Sequence, residues 1–396
     1  MSLKMYYLGY YDVVSNAEEN RNHVLAASNK MTYIVSALER AGFCVELISA
    51  SQTLNAQGFA AKAVPLGEKS RLYLFRTLPW GNKLCRVRSV LFSKWQVFWY
   101  IWRHVSKGDT LMVYHSLGYA GLVRILKRLK GFRLVLEVEE IYADVTGSDK
   151  AREKEYKLLR RADAYIFPTE LLNEKLNSEH KPHCIIYGTY QVEENRHCFF
   201  NDGKIHVVYA GTFDPRKGGA AAAATAAVFL PVNYHVHILG FGSKADTEQL
   251  KQVIAKISAK STATVTYDGC LSGEEYIRFI QSCDIGLSTQ NPDAAFNGTS
   301  FPSKILSYMA NGLRVVSVRI PAIERSAIGN LVTYYDTQTP KAIAKAILKV
   351  DFEKPYDSRT TIQRLSDQFV MDMKYLLENE KGECENAGNK RNSASL

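Results

Sequence analysis

Short apolar segments alternate with longer segments of helical periodicity along almost the whole chain, which is the pattern of an α/β fold with mostly parallel sheets. The first apolar segment, Lys4–Tyr11, is a predicted strand. A predicted helix follows from about 24 to 40, and a second strand follows at Cys44–Ser49. Gly42 stands between this helix and this strand, where a residue in the left-handed conformation commonly ends a helix. The pattern therefore predicts repeated strand–helix–strand units.

A polar, irregular stretch at 191–204 divides the chain into two such series. We predict an N-terminal Rossmann-like domain at 1–190, the linker at 191–204 and a C-terminal Rossmann-like domain at 205–355. A helix at 356–380 is expected to cross back to the N-terminal domain, and the polar tail 381–396 is expected to be disordered. A chain of 396 residues is long enough for two domains of this size.

The first unusual loop of the C-terminal half follows a predicted strand, where open α/β sheets bind their ligands. Gly211 and Thr212 come directly after the strand, and Arg216 and Lys217 precede the next helix. Glycine lets the backbone approach a ligand closely, and cations beside a helix start suit a diphosphate. The alternative interpretation is a surface loop with solvated charges.

Two further loops follow predicted strands of the same half. Gly240-Phe241-Gly242 comes after an apolar strand, and a tight turn explains it equally well. The segment 297–312 places small and polar residues before Pro302, which suits the first turn of a helix. Lys304 can then reach back towards a phosphate, and Gly312 ends the helix. We interpret this segment as an anion cradle followed by a short helix, with an ordinary capped helix as the alternative.

In this order and spacing, the three loops resemble the donor domain of retaining GT-B glycosyltransferases of the bacterial sucrose-synthase/mannosyltransferase-like family (glycosyltransferase group 1). The resemblance rests on Gly211–Gly218, His237–Gly242 and Phe301–Val316 and covers 205–350 well. It implies two facing Rossmann-like domains. It also implies transfer of a sugar, with retention, from a UDP- or GDP-sugar to a carbohydrate or lipid-linked acceptor, in surface polysaccharide synthesis.

The resemblance also carries roles to individual residues. Lys217 matches the family's diphosphate-binding lysine and is assigned to catalysis, with Arg216 beside it. Family members often have arginine where this chain has Thr212, and they have a pair of acids where it has Thr299 and Ser307. The Ser307 hydroxyl can still bind a ribose hydroxyl, although less strongly than a carboxylate does.

The segment 267–271 matches the part of the family's donor domain on which the nucleobase packs, and a strand end with a turn is the alternative. The residues assigned to the donor are Gly211, Thr212, Arg216, Gly240, Gly242, Gly269, Leu271, Thr299, Ser300, Phe301, Lys304 and Ser307.

In the N-terminal half, His115 stands at a strand end and matches a family histidine close to the donor sugar, so it is the second catalytic candidate. Glu139 and Glu140 follow the next strand, where buried acids are costly and at least one is expected to face the acceptor. Asn29 and Lys30 stand near a helix start in place of the family's glycine-rich acceptor loop. These four residues are the acceptor-side candidates.

Positive charge is concentrated in one part of the chain. Between 61 and 133 there are fifteen Lys and Arg against two acids, whereas the whole chain has a net charge of +10. Within this stretch, 83–107 is rich in aromatic residues and is predicted to be helical. It suits either a packed helix with a solvated basic face or a helix lying on an anionic membrane surface. Nucleic-acid binding is disfavoured, because no recognition motif accompanies the charge.

Seven cysteines without metal-ligand spacing indicate reduced thiols, with no disulfide framework and no structural zinc. We expect no cofactor and no metal, and we expect neither a signal peptide nor a membrane span. The expected location is the cytoplasm, with peripheral attachment to the inner face of the membrane as a further expectation.

A sugar-nucleotide epimerase of similar fold and a non-catalytic sugar-nucleotide-binding protein are the alternatives to a glycosyltransferase. An NAD-linked oxidoreductase is disfavoured because the first strand lacks its glycine fingerprint.

Overall fold

The computed structural model describes residues 3–142, 149–213, 219–292, 297 and 299–378. The chain divides into two units. Unit 1 comprises Met1–Pro168, Leu172–Ile186 and the chain from Gln368 onward, and unit 2 comprises Thr169–Leu171 and Tyr187–Asp367.

Unit 1 is built on a sheet that has eight strands within the described residues. Its strands are β1 (Leu3–Gly9), β2 (Phe43–Ser49), β3 (Lys62–Pro65), β4 (Arg71–Leu74), β5 (Thr110–Tyr114), β6 (Arg133–Glu137), β7 (Ala164–Phe167) and β8 (His183–Ile185). They are ordered β3-β4-β2-β1-β5-β6-β7-β8, and every pair is parallel except β3 with β4. Strands such as β7 are buried along their whole length, as expected when helices cover both faces of a parallel sheet.

The helices of unit 1 connect these strands. They are α1 (Leu25–Arg40), α2 (Lys83–His104), α3 (Ala120–Lys130) and α4 (Asp149–Leu159), and α5 (Glu170–Leu176) is shared between the two units. Between β2 and β4 lies β3, an antiparallel edge strand that the hydrophobic pattern did not indicate. Four residues that end in proline carry too little alternation to be recognised as a strand, and proline is tolerated only at such an edge.

Unit 2 has six parallel strands within its described residues. They are β9 (Ile205–Thr212), β10 (Tyr234–Phe241), β11 (Thr264–Gly269), β12 (Ile285–Ser288), β13 (Arg314–Val318) and β14 (Val332–Tyr335). Their order, β11-β10-β9-β12-β13-β14, is the Rossmann order, in which the strand sequence reverses between β9 and β12.

The helices of unit 2 are α6 (Gly219–Ala226), α7 (Lys244–Ser258), α8 (Gly273–Gln281), α9 (Lys304–Ala310), α10 (Pro321–Glu324) and α11 (Pro340–Ile347). The last helix, α12 (Ser358–Glu378), begins in unit 2 and ends in unit 1. Ser358 donates a hydrogen bond to the carbonyl of Met309 at 2.8 Å. At the other end, Arg133 donates to the carbonyl of Leu376 at 2.6 Å. No helix among the described residues is both long enough and apolar enough to cross a membrane.

Candidate functional site

The loops after β9 and β12 in unit 2 occupy the point at which the strand order reverses. Doubly wound sheets bind ligands there, because the helices on the two sides diverge and leave a crevice at the carboxyl ends of the strands. Gly211 and Thr212 are the last residues of β9, and Ser288 is the last of β12. The ends of these two strands, from which the chain continues towards the first and third loops, therefore lie at the position where doubly wound sheets bind a ligand.

The backbones of the first and second loops are in direct contact. Gly240 has a φ of 130°, and a Cβ atom at this position would lie 1.8 Å from the carbonyl oxygen of Gly211. A Cβ at Gly242 would lie 2.9 Å from the Cβ of Phe213. Both glycines thus allow the end of β10 to pack closely against β9. Close packing therefore explains these glycines better than a tight turn alone.

Lys304 is directed to the carboxyl end of β9. Its Nζ lies 3.9 Å from the ring centre of Tyr209, and a Cβ at Gly211 would lie 3.0 Å from the same Nζ. A cation over an aromatic ring is held without losing its charge. The predicted helix start at Pro302 is two residues early, since α9 begins at Lys304. The reason is that the preceding turn closes through a bond from the Ile305 N–H to the Pro302 carbonyl.

Tyr308 was missed by the sequence analysis, although it joins the two central strands. Its hydroxyl accepts a hydrogen bond from the Ala210 N–H at 2.8 Å, and the side chain is fully buried. Its ring fills the space above Gly286, where a Cβ would lie 2.3 Å from Cγ of the tyrosine. A glycine inside an apolar strand is the sequence signal that such a close approach leaves.

The other donor candidates have different surroundings. The Thr299 carbonyl accepts a hydrogen bond from the Thr169 hydroxyl at 2.9 Å. Phe301 is buried with its ring centre 5.0 Å from that of Tyr187. Ser307 forms a side-chain hydrogen bond with Tyr276, whose pKa is raised by burial and lowered in part by this bond.

For three further candidates the structure gives burial or backbone conformation. Ser300 is half-buried, Gly269 ends β11 with a φ of 87°, and Leu271 is half-buried in the loop that follows. Arg216 and Lys217 lie outside the described residues.

His115 in unit 1 follows β5, at the point where the order of this sheet also reverses, between β1 and β5. The imidazole is 1% exposed, and its Nε2 lies 3.4 Å from Oε1 of the buried Glu155. The ring centre of His115 lies 5.2 Å from that of Tyr142. Burial lowers the pKa of His115 to about 4, against a smaller opposing contribution from the backbone of Glu140. The ring is therefore neutral at neutral pH and suits hydrogen bonding better than proton donation.

Two of the acceptor-side candidates form an ion pair in unit 1. Lys30 is buried in α1, and its Nζ pairs with Oε1 of Glu139, whose side chain is 25% exposed. Glu137, fully buried on β6, bonds to the hydroxyl of Tyr7. Burial, followed by the charge of Glu139, raises the pKa of Glu137 to about 8, although Lys30 and the Tyr7 bond act in the opposite direction. The group thus combines a paired charge with a carboxyl that stays protonated at neutral pH.

The remaining two acceptor candidates are peripheral to this group. Asn29 is exposed on α1, whereas the neighbouring Lys30 points inward. Glu140 is half-buried after β6. Of the four residues, the structure brings Lys30 and Glu139 into contact.

Comparison with known proteins finds a family match in the second half of the chain. Residues 204–350 match the family model described as "Glycosyl transferases group 1". This part of the chain is therefore similar to a glycosyl transferase group 1 domain, and the matched range contains all three candidate loops. None of the curated proteins compared with the chain matches it.

Solved structures match nearly the whole chain at low sequence identity. Sucrose-phosphate synthase from Thermosynechococcus elongatus is 13% identical, with a TM-score of 0.68 over 94% of this chain and 98% of that chain. Trehalose-6-phosphate synthase from Burkholderia multivorans is 11% identical, with a TM-score of 0.66 over 95% and 96%. HepE from Anabaena, in complex with UDP and glucose, is 14% identical, with a TM-score of 0.58 over 94% and 97%. The predicted GT-B fold is thereby confirmed.

Proposed function

We propose that the protein is a glycosyltransferase that takes a sugar from a nucleoside-diphosphate sugar and transfers it to a carbohydrate or lipid-linked acceptor, without a metal ion in the transfer. The observation that carries the proposal is the position of Lys304, whose ammonium stands beside Gly211 at the carboxyl end of β9. The group 1 domain match over 204–350 supports a nucleotide sugar as the donor. UDP is favoured over GDP, because the solved HepE structure holds UDP.

The chemical task of the donor loops is to stabilise the leaving diphosphate. Its charge grows as the glycosidic bond to the donor breaks, and fixed cations and backbone N–H groups that are already in place lower the barrier. Lys304 supplies one such cation, and the sequence adds Arg216 and Lys217 after the first loop. The absence of a side chain at Gly211 leaves room there for the Lys304 ammonium. We assign Ser307 to the ribose and the half-buried Leu271 to the nucleobase.

On the acceptor side, we assign Lys30 and Glu139 to binding acceptor hydroxyl groups. An ion pair whose acid is partly exposed offers both donors and acceptors for hydrogen bonds to a sugar. We assign His115 to a hydrogen bond with the donor sugar, made by a neutral imidazole. Retention of configuration and a role in polysaccharide synthesis rest on the resemblance of the donor loops alone.

Nucleotide binding is tested by thermal shift and calorimetry with UDP, GDP and ADP. The protein variants are wild type, Lys304→Ala and Lys217→Ala. Lys260→Ala is a matched control, because Lys260 is exposed in the same unit after α7. We expect one diphosphate to stabilise wild type and the control, and each of the other variants to bind it about tenfold more weakly. Equal affinity in all four proteins would contradict the proposed site.

The reaction itself is tested by incubating the protein with the nucleotide sugar that binds, with and without a pool of acceptor glycans. Release of the nucleoside diphosphate that depends on acceptor supports transfer. Conversion of the sugar nucleotide without release identifies an epimerase, and binding without any turnover identifies a non-catalytic protein.

We further propose that unit 1 docks on an anionic membrane surface through the outer face of α2, where a lipid-linked acceptor would be found. Large apolar side chains along this helix are exposed at spacings of three and four residues, which places them in one stripe. They are Leu84, Val87, Leu91, Trp95, Trp99 and Trp102. The buried face is less apolar and includes Ser89 and Ser93.

Positive charge accompanies this stripe. The helix contains Lys and Arg but no acid, and the adjacent α3 adds exposed Ile125 and Leu129 beside further basic residues. The Nζ of Lys130 lies 5.2 Å from the ring centre of Trp102, which joins the two helices at this surface. Aromatic side chains that enter the interface, together with cations on anionic headgroups, explain an apolar patch that water would otherwise disfavour.

Membrane docking is tested by flotation with vesicles of phosphatidylcholine, alone or mixed with phosphatidylglycerol. We expect flotation only with the anionic mixture, and we expect the double variant Leu91→Ser, Trp95→Ser to abolish it. Val232→Ser is the control, because Val232 is an exposed apolar residue of unit 2. Wild type that stays with the soluble fraction in both mixtures would exclude the docking surface while leaving the transfer proposal untouched.

A further inference from the structure

Three histidines meet on one face of the unit 2 sheet, near the amino-terminal ends of its strands and away from the candidate donor loops. His206 lies on β9 directly opposite His235 on β10, and His237 lies two residues further along β10 on the same face. Each side chain offers a nitrogen, and these nitrogens all lie within 4.8 Å of one another.

Two carboxylates orient two of these rings from outside. His206 uses its Nε2 to contact Oδ1 of Asp202 at 2.9 Å. His237 uses its Nδ1 to contact Oδ2 of Asp268 at 3.2 Å. The inner nitrogens, Nδ1 of His206 and Nε2 of His237, then face each other at 2.9 Å. Carboxylates that hold the outer nitrogen of a histidine are the usual partners of histidines that bind a metal with the inner nitrogen.

The number of imidazole N–H groups available for the contacts between Asp202, His206, His237 and Asp268 indicates a bound cation. A neutral imidazole carries one N–H, so two rings carry two for the three contacts from Asp202 to Asp268. When both N–H groups serve the carboxylates, two lone pairs face each other across the inner contact. An ion between His206 and His237 removes this repulsion, and it lets each ring keep its N–H on a carboxylate.

The surroundings suit an ion that is held rather than one that is exchanged freely with solvent. His206 and His237 are each 2% exposed, and His235 is half-buried. The His235 ring stacks on that of His237 at 3.8 Å between ring centres, and its Nε2 contacts the Thr266 hydroxyl at 3.0 Å. The ring of Phe200, in the segment that leads into β9, stacks on His206 at 4.1 Å between ring centres. Asp202 belongs to the same segment. A bound ion would thus fasten the entering chain to the first two strands of unit 2.

We propose that His206, His235 and His237 form a binding site for a divalent transition-metal ion of the zinc type, with Asp202 and Asp268 orienting the ligands. Imidazole nitrogens suit Zn²⁺, Ni²⁺ and Cu²⁺, and a water molecule completes the tetrahedral set that zinc prefers. Zinc–nitrogen bonds of about 2.0 Å at a tetrahedral angle separate two ligand nitrogens by about 3.3 Å. The inner pair therefore opens by about 0.4 Å on binding. The ion has a structural role, independent of the proposed sugar transfer.

The test is binding of Co²⁺ and Zn²⁺ to the full chain after treatment with a chelator. Calorimetry gives the stoichiometry, and the visible absorption of Co²⁺ reports on its coordination geometry. We expect one ion per chain, an intense tetrahedral Co²⁺ spectrum, and a rise in the unfolding temperature on adding Zn²⁺. His235→Ala is the first variant, because His235 is half-buried and its loss leaves the buried pair in place. We expect it to weaken binding about tenfold or more.

His237→Gln is the second variant, and its fold is checked by circular dichroism before the titration. His183→Ala is the matched control, because His183 is an exposed histidine of unit 1. Loss of binding in the first two variants and retention in the control support the site. Equal binding by all four proteins, or no stoichiometric binding by wild type, overturns it, and in the latter case a proton occupies the inner contact.

Discussion

The ammonium of Lys304 lies 3.9 Å from the ring centre of Tyr209, which ties the first residue of α9 to the strand that ends in the first candidate donor loop. The two residues are 95 positions apart in the sequence. The contact fixes a positive charge at the point where the strand order of unit 2 reverses, before any ligand arrives. A cation already in place costs less to use than one that a ligand must first order.

This contact predicts that the ring of Tyr209, rather than its hydroxyl, supports nucleotide binding. Tyr209→Leu removes the face on which the ammonium rests, and we expect it to weaken binding of the preferred diphosphate about threefold to tenfold. Tyr209→Phe keeps the aromatic face, so its affinity is expected to stay near that of wild type. Calorimetric titration of the three proteins measures the difference. A leucine variant that binds as tightly as the phenylalanine variant would show that the ring has no such role.

A second prediction concerns the close approach of β9 and β10. Gly240→Ala would place a methyl group 1.8 Å from the Gly211 carbonyl at a φ of 130°, so the loop must move. We expect a loss of stability of about 2 kcal/mol or more and reduced nucleotide affinity. Gly121→Ala is the control, because Gly121 lies in α3 with no atom within 4 Å of the added methyl. That change is expected to stabilise by about 0.5 kcal/mol, since alanine favours a helix. Urea unfolding of both variants tests the contrast.

A third prediction concerns the buried hydroxyl of Tyr308. Tyr308→Phe keeps the ring against Gly286 but leaves the Ala210 N–H without its 2.8 Å acceptor. An unpaired buried N–H costs about 1–3 kcal/mol, and we expect this loss in urea unfolding. Hydrogen exchange at Ala210 is expected to accelerate in the variant. Unchanged stability together with unchanged exchange would mean that water or another group replaces the hydroxyl.

The alternation of apolar and helical segments was sufficient to predict an α/β fold with mostly parallel sheets, because each buried parallel strand leaves a continuous apolar run. The GT-B fold was predicted from the resemblance of the three loops in the second half of the chain. The three candidate loops could be located because glycine and proline mark turns directly in the sequence. The short strand β3 could not be recognised, because its pairing with β4 depends on a partner and not on its own four residues.

The sequence analysis mainly failed to predict contacts between residues that are far apart in the sequence. Tyr308 appeared as one apolar helix position, and nothing near it indicates that its hydroxyl reaches Ala210. The spacing of cysteines and histidines along the sequence did not indicate a metal site. His206 and His235 are 29 positions apart and come together only because β9 pairs with β10. The His-x-His alternation of His235 and His237 was the available signal, since residues two apart on a strand share a face.

The buried carboxyl of Glu137 predicts a specific dependence of stability on pH. Its pKa is raised from the ordinary value of 4.5 to about 8 by burial and by the charge of Glu139. Between these two values the unfolded chain has released the proton that the folded chain keeps, so this carboxyl makes folding less favourable as pH rises. Its favourable contribution is complete below about 4.5 and is lost as pH approaches about 8.

Glu137→Gln keeps the shape and an N–H donor but cannot lose a proton. We expect its unfolding temperature to vary less than that of wild type between pH 5 and pH 8 and to exceed it by about 5 °C at the upper end. Glu153→Gln is the control, because Glu153 is exposed on α4 and its pKa is lowered by Lys157. Thermal unfolding followed by circular dichroism across this range measures both variants. Parallel curves for wild type and Glu137→Gln would mean that Glu137 is already ionised in the folded protein, with Lys30 compensating the charges of both Glu137 and Glu139.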